Sequence, residues 1–281
     1  MIGAVGVAPA TASAAPLLRL THSQSLTDSA STKTASAHCW SGGTIIGGGG
    51  GVYGPGASTN KPTLSGMRPM HNFDGIDSDS DSYDVTAAET TPGTTGAWRV
   101  EAYAICAEQL AGVHLVSSPN VAPSSASTQV AAAVCPPGER VMGAGAQAST
   151  ASGQVVLQVA RPSASGDIVR AQAHEDADGY AGAWSVRAYA ACAPPPAGYQ
   201  VVFAPSQQTL SEPVKLAVAT CPAGKRLLGT GAALSSIAPG QVSLQSIVPS
   251  FANRQTLALG VENTATPATW DFIVSTAICA T

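Results

Sequence analysis

The sequence is poor in charge, in aromatic residues and in long apolar runs. Only 11% of its 281 residues are charged and 5% are aromatic, whereas average globular proteins are about 25% charged. The 13 basic residues do not cluster and the net charge is −4, which excludes the basic surface that nucleic-acid binding requires. No stretch reaches the roughly 18 uninterrupted apolar residues of a membrane-spanning helix. We therefore expect neither a nucleic-acid partner nor a transmembrane segment.

Residues 1–14 are interpreted as a signal-peptide remnant. Residues 2–8 are apolar, and residues 12–14 (Ala-Ser-Ala) have the small-x-small pattern of a signal-peptidase site. The positively charged segment that opens most signal peptides is missing, so an Ala-rich tail is the alternative. Six cysteines, an even number, are typical of a disulfide-bonded exported protein. We predict a secreted, extracellular protein.

A motif rich in glycine occurs three times. The copies read CWSGGTIIGGGG from Cys39, CPPGERVMGAGA from Cys135 and CPAGKRLLGTGA from Cys221. Each copy keeps glycine at the third, eighth and tenth positions after its cysteine. A closing motif follows, with a tryptophan eight or nine residues before a second cysteine. These co-linear markers divide the chain into three units, at residues 15–107, 113–193 and 199–281, and the first unit has an Asp-rich insertion.

The repeated glycines are predicted to be architectural. A phosphate-binding loop requires a helix after the glycines and a Lys-Ser/Thr pair, but each copy leads into β-rich segments without such a pair. Glycines two residues apart lie on one face of a strand, where they let another backbone or a large ring approach closely. We expect the tryptophan of each unit (Trp98, Trp184 or Trp270) to fill that gap.

Short β-rich segments, separated by Pro, Gly and Ser turns and without long helical periodicity, predict an all-β fold. We expect three tandem, disulfide-stapled, antiparallel Greek-key-like modules of five or six strands, either arrayed in a string or packed with pseudo-threefold symmetry. Pairing inside the units is the most economical connectivity: Cys39–Cys106, Cys135–Cys192 and Cys221–Cys279. Each bond closes a long loop and stabilises its module by roughly 4 kcal/mol in the chain-entropy model.

The C-P-x-G…G-x-G opening and the W…Y-A-x-C-A closing resemble tandem repeats in secreted proteins of high-GC filamentous bacteria. They are also similar to the tip region of conjugative-pilus adhesins. Three Cys-bounded Greek-key units are similar to the β-prism of vitelline membrane outer layer proteins. The resemblance implies a β-prism-like packing of the units. The first unit departs from the pattern, because Trp40 replaces the motif proline.

The stretch DGIDSDSDSYD is the candidate metal site. Asp77, Asp79 and Asp81 match the first three acidic positions of an EF-hand-like calcium loop, and Asp84 is a further candidate ligand. Ser82 stands where the loop needs glycine, and a bidentate glutamate is absent from the twelfth position. A solvated acidic loop is therefore favoured over Ca²⁺ binding, and no other cofactor is expected.

Candidate ligand contacts are side chains outside the repeat pattern or close to loops, where recognition residues concentrate. They are Tyr53, Arg68, His71, Phe73, Tyr83, Asp176 and Tyr180. The repeated tryptophans are favoured as core residues over sugar-stacking platforms. One glutamate recurs in each unit (Glu89, Glu175 and Glu262), and structural hydrogen bonding and catalysis both remain open for these carboxylates.

Three functional hypotheses follow from these patterns. The leading one is a secreted, non-enzymatic binding or adhesin-like protein that recognises glycan or cell-envelope surfaces. The first alternative is a structural surface or coat protein that self-assembles, and the second is a glycan hydrolase that uses carboxylates of the first or second unit. Because the shared residues are explained by the fold, function is expected where the units differ most, in segment 53–84.

Overall fold

The computed structural model describes residues 17–58, 62–71, 81–108, 110–150, 153–207, 212–235, 240–263 and 270–281. Within these residues each unit has six strands. Those of the first unit are β1 Leu17–Gln24, β2 Thr32–His38, β3 Thr44–Tyr53, β4 Thr63–Met70, β5 Ser82–Ala88 and β6 Arg99–Glu108, with a short 3₁₀ helix at Pro55–Ser58. Those of the second are β7 His114–Ser117, β8 Thr128–Val134, β9 Arg140–Ala148, β10 Val155–Pro162, β11 Ile168–Glu175 and β12 Val186–Ala193. Those of the third are β13 Gln200–Pro205, β14 Val214–Thr220, β15 Arg226–Ser235, β16 Val242–Ser250, β17 Gln255–Glu262 and β18 Phe272–Ala280.

The strands form three antiparallel sheets of six strands, which confirms the predicted all-β class. Sheet 1 has the order β1-β6-β3-β16-β17-β14, sheet 2 the order β2-β5-β4-β9-β12-β7, and sheet 3 the order β13-β18-β15-β10-β11-β8. Every sheet takes the first, sixth and third strands of one unit and the fourth, fifth and second strands of another. The units are therefore packed together through shared sheets and do not form a string. The repeated strand order is the one that pseudo-threefold packing requires.

The three disulfide bonds join the predicted partners. Cys39 is bonded to Cys106, Cys135 to Cys192 and Cys221 to Cys279, with Cα–Cα distances of 5.6–5.7 Å. In each unit the first cysteine directly follows the second strand, and the other lies in the sixth strand. Since these two strands belong to different sheets, each disulfide links the two sheets to which its unit contributes.

Glycines from the three units meet where the sheets approach one another. A Cβ atom added to Gly47 would lie 3.1 Å from the Cα of Gly229 and 3.4 Å from the Cα of Gly143. A Cβ at Gly229 would lie 3.1 Å from the Cα of Gly143. The eighth position of the repeated motif is therefore glycine because three backbones converge on one another there.

The glycine two residues later lies against the fourth strand of a neighbouring unit. A Cβ at Gly145 would come within 2.7 Å of the Met67 carbonyl oxygen, and one at Gly231 within 2.9 Å of the Ala160 carbonyl oxygen. The prediction of a close approach is confirmed, but the expected tryptophan partner is wrong. Backbone from the other units fills the gap, because the seams between units run through these positions.

The tryptophans are core residues, as predicted. Trp98, Trp184 and Trp270 have no exposed surface. Buried indole N–H groups need an acceptor, and Glu89 and Glu175 supply one to the first two rings at 2.9 and 3.1 Å. The third ring donates instead to the backbone carbonyl of residue 212 at 2.9 Å. The recurring glutamates of the first two units thus have a structural role.

Candidate functional site

The residues predicted to contact a ligand lie in four separate regions of the structure. His71 and Asp81 line a cavity between the first two units, and Arg68 and Asp84 line a depression on sheet 2. Tyr53 belongs to a cluster of aromatic and charged side chains on sheet 1, while Asp176 lines a cavity to which all three units contribute. Three of the predicted residues lie outside the described part of the chain: Phe73, Asp77 and Asp79.

His71 and Asp81 form a pair where β4 and β5 connect. The Nδ1 atom of His71 lies 2.5 Å from the Oδ1 atom of Asp81. The other carboxylate oxygen of Asp81 accepts a hydrogen bond from the backbone N–H of Ile45 at 2.8 Å, and its backbone carbonyl accepts one from Cys39 at 2.7 Å. The Asp81 side chain is only 4% exposed, whereas that of His71 is 48% exposed. Asp81 therefore anchors the connection and orients an accessible imidazole.

A cavity of about 330 Å³ opens beside this pair. Its walls combine apolar side chains with hydroxyl, imidazole and carboxylate groups. They come from the first two units: Thr44, Ile45, His71, Asp81, Val113, His114 and Leu115. This volume is within the usual range of small-molecule sites, which are mostly apolar and contain a few orienting polar groups. We call this cavity the hairpin pocket.

Of the four residues predicted to bind calcium, the structure describes Asp81 and Asp84, and both have protein hydrogen-bond partners. Both carboxylate oxygens of Asp81 are occupied by protein partners. The Oδ1 atom of Asp84 accepts a hydrogen bond from the Ser82 hydroxyl at 3.1 Å. In the described ranges no group of three His, Cys, Asp or Glu residues is close enough together to hold a metal ion.

On the outer face of sheet 2, Arg68 and Asp84 line a polar depression of about 230 Å³. The Arg68 guanidinium donates to the Tyr189 hydroxyl at 3.1 Å and lies 5.3 Å from the centre of that ring. Tyr83 points the other way, since it is 1% exposed and its hydroxyl donates to the Ala144 carbonyl at 2.8 Å. Burial raises the pKa of Tyr83 well above its usual range. Tyr83 is thus a core residue and not a surface contact.

Tyr53 belongs to a cluster on sheet 1 that the sequence did not reveal. Arg99 donates twice to the Oε1 atom of Glu101, at 2.8 and 2.6 Å, and the Tyr103 hydroxyl donates to its Oε2 atom at 2.9 Å. His22 lies 3.5 Å from the same oxygen. Arg99, Glu101 and Tyr103 lie in the closing motif, for which the sequence predicts a structural role only. The available signal was the alternation of polar residues at 99, 101 and 103, which places them on one strand face.

The pKa shifts in this cluster follow from burial and hydrogen bonding. Burial alone would raise the pKa of Glu101, but hydrogen bonds from Tyr103 and Arg99 together hold it below its usual range. Burial, reinforced by the Glu101 charge, raises the pKa of Tyr53 to about 12. At neutral pH the Glu101 carboxylate is therefore ionised, and Tyr53 is protonated. The negative charge of Glu101 is balanced by the positive charge of Arg99.

Asp176 lies in a cavity of about 170 Å³ to which all three units contribute, with walls from Thr90, Thr91, Pro92, Asp176, Ala177, Asp178, Gly240 and Asn263. Burial, and then the nearby charges of Asp178 and Glu175, raise the pKa of Asp176 to about 6. Its Oδ1 atom has no hydrogen-bond partner among the described residues. Tyr180 is half-buried against the core.

Comparison of the sequence with known proteins finds no matching family model and no matching curated protein. Across the described residues, no helix is both long and apolar enough to cross a bilayer. Function must therefore be argued from the geometry of the sites alone.

Proposed function

We propose that this protein is a secreted, non-enzymatic binding protein that recognises a glycan or cell-envelope surface through the hairpin pocket. The observation that supports it is the accessible His71 imidazole, which the buried Asp81 holds at the mouth of a partly apolar cavity. Sugar rings have apolar faces and a rim of hydroxyls. A wall of Val113 and Leu115 beside imidazole and hydroxyl groups matches both features.

Secretion is the setting that the disulfide bonds support. Three structural disulfides and no free cysteine among the described residues are typical of proteins from oxidising compartments. Such cross-links also stabilise a molecule whose core consists largely of small side chains and few aromatic residues.

Binding without catalysis is favoured by the way the carboxylates are used. Glycoside hydrolysis requires one carboxyl group as acid and a second as nucleophile or base. Glu89 and Glu175 accept hydrogen bonds from buried tryptophans. Asp81 bonds a backbone N–H and a histidine, and Glu101 is held by Arg99 and Tyr103. Each of these carboxylates has a structural partner, so none of them is available as one of a catalytic pair. Asp176, whose Oδ1 atom has no hydrogen-bond partner among the described residues, is the carboxylate that the hydrolase alternative would use.

The test is a glycan-array screen of the wild-type protein and of His71→Ala. The matched control is His22→Ala, because His22 also lies beside a carboxylate and its side chain is 43% exposed, close to the 48% of His71. We expect the wild type and the control to bind the same glycans, and His71→Ala to lose about tenfold in affinity. Equal binding by all three proteins would show that the hairpin pocket is not the glycan-binding site. Cleavage of the glycans would favour the hydrolase alternative.

Self-assembly into a surface layer is the second candidate, favoured by the apolar edges of sheets 1 and 3. Val130 and Val134 of β8 are 68% and 56% exposed, and Leu216 of β14 is 52% exposed. Exposed apolar residues on edge strands are potential contact points between copies of a chain. Analytical ultracentrifugation of the wild type tests this candidate. Reversible high-order assembly that Leu216→Ser abolishes supports a coat protein, and a monomer at all concentrations contradicts it.

A further inference from the structure

Two arginines face each other on the outer surface of sheet 3. Arg161 of β10 and Arg170 of β11 are cross-strand partners in the antiparallel register. Ala160 and Ala171, the adjacent residues of the two strands, are buried. Because side chains alternate along a strand, both arginines point away from the core. Directly opposed side chains have Cβ atoms about 5 Å apart, so like charges at these positions repel each other.

The positive pair has no compensating carboxylate. Among the described residues, neither guanidinium is within ion-pair distance of an Asp or Glu side chain. The strands of sheet 3 contain a single acidic residue, Glu175 at the end of β11. That carboxylate accepts the hydrogen bond of the buried Trp184 ring. Asp167, in the connection between β10 and β11, accepts hydrogen bonds from Ser163 and Ser165 instead. The two adjacent arginines therefore have no carboxylate partner among the described residues.

The surroundings of the pair strengthen its attraction for an anion. Burial, and then the charge of Arg170, lower the pKa of Arg161 below its usual range. The guanidinium of Arg161 lies 5.4 Å from the centre of the Phe203 ring, within the range of a cation–π contact. The neighbouring strand β8 adds the exposed side chains of Val130 and Val134. The result is a pair of guanidinium groups on a mostly apolar sheet face.

We propose that Arg161 and Arg170 bind the carboxylates of an acidic polysaccharide. Guanidinium groups pair with carboxylates through two parallel hydrogen bonds. The apolar faces of the sugar rings pack on Phe203 and on the valines of β8. An open sheet face suits an extended polymer better than an enclosed metabolite. This surface lies on sheet 3, apart from the hairpin pocket between the first two units, and the two proposals stand or fall separately.

The test compares binding of polygalacturonate with binding of its fully methyl-esterified form, an uncharged polymer with the same backbone. The variants are Arg161→Gln and Arg170→Gln. The control is Arg19→Gln, which also removes one charge stacked on an aromatic ring, since Arg19 lies 4.8 Å from the Trp40 ring. We expect the wild type and the control to prefer the acidic polymer, and each sheet 3 variant to lose about tenfold in affinity for it. Added salt should weaken the wild-type interaction.

Melting temperature separates a binding role from a structural one. Removing one of two repelling charges should leave the melting temperature of each variant equal to or above that of the wild type. A lower melting temperature, undiminished affinity of the variants, or equal binding of the ester would each overturn the proposal. Glycan-array binding through the hairpin pocket should be unchanged in both variants, so loss of the polygalacturonate interaction alone leaves the proposed function standing.

Discussion

The outer faces of sheet 1 and sheet 3 are built from the same strand order, but they carry charge in opposite ways. On sheet 1, Glu101 is enclosed by Arg99 and Tyr103, and the charges cancel within the cluster. At the positions of Glu101 and Tyr103, counted from the cysteine of the last strand, sheet 3 has Val274 and Thr276. Among the described residues no acidic side chain pairs with the two arginines of that face.

This difference shows which parts of a repeat are free to change. The interior glycine positions cannot accept a larger residue in any unit, because the glycines of all three units contact one another. The outward positions of each strand contact only their own face. One face can therefore become a closed ion network and another an open positive surface without any change in topology.

The largest effect is expected from Gly143→Val, which should destabilise both faces at once. A valine side chain there would overlap the backbone of Ile46 and Gly47 in the first unit. Overpacking of this kind costs about 1–3 kcal/mol or more. Urea unfolding measures the loss, and Gly138→Val is the control, because Gly138 has open space around it but a φ of +88°. A larger loss for the control would show that turn conformation matters more than the contact between units.

A smaller loss is expected when the network of sheet 1 is opened. In Glu101→Ala the Arg99 guanidinium loses both of its hydrogen bonds to the carboxylate. The cost is about 1 kcal/mol, because the Arg99 side chain is 31% exposed and water can replace the lost acceptor. Arg161→Gln, the corresponding removal of charge on sheet 3, should cost nothing measurable. Chemical denaturation of the two variants side by side tests the contrast, and equal losses would show that the two faces do not differ in the proposed way.

The sequence predicted the architecture well because the repeat markers are interior residues. The disulfide partners, the buried tryptophans and the close-contact role of the glycines all depend on packing that recurs in every unit. The exchange of strands between units was not predictable in detail, since antiparallel pairing inside a unit and between units has the same local pattern.

The site was predicted less well, because outward residues obey no repeat. The sequence predicts that Tyr83 lies near a loop and contacts a ligand, but it lies in β5 and its ring fills the space above Gly48. Glu101 lies inside the closing motif, whose residues the repeat explains, so the sequence does not mark it as a site residue. In segment 53–84, β4 is a regular fourth strand. The connection at 71–81 has eleven residues where the corresponding connections at 163–167 and 251–254 have five and four, and the connection at 54–62 has nine where those at 149–154 and 236–241 have six.

A pH titration of stability should distinguish Glu101 from Asp176, whose pKa values shift in opposite directions. The folded-state pKa of Glu101 is lowered, so its contribution to stability is present at neutral pH and is lost as the pH falls through that value. The pKa of Asp176 is raised to about 6, so its contribution is full below about pH 4 and is lost as the pH rises through 6. Asp176→Asn should therefore gain stability relative to the wild type above pH 6 and lose this advantage near pH 4. If the difference in melting temperature between the wild type and Asp176→Asn stays constant from pH 4 to pH 8, the raised pKa of Asp176 is wrong.

A small effect on stability is also expected from exchanging the segment between β4 and β5, which is longer in the first unit than in the other two. Asp81 and Asp167 are equivalent, because the carbonyl of each accepts the N–H of the first cysteine of its unit. Replacing residues 71–80 with Ser-Ala-Ser-Gly, the sequence of residues 163–166, keeps Asp81 in place while it removes His71. We expect the free energy of unfolding to change by about 0.5 kcal/mol or less, and glycan-array binding to fall as it does in His71→Ala. If the exchanged protein does not fold, residues 71–80 are required for the core. If it folds and binds glycans normally, the binding site is not the hairpin pocket. Polygalacturonate binding should be retained, because sheet 3 contains none of the exchanged residues.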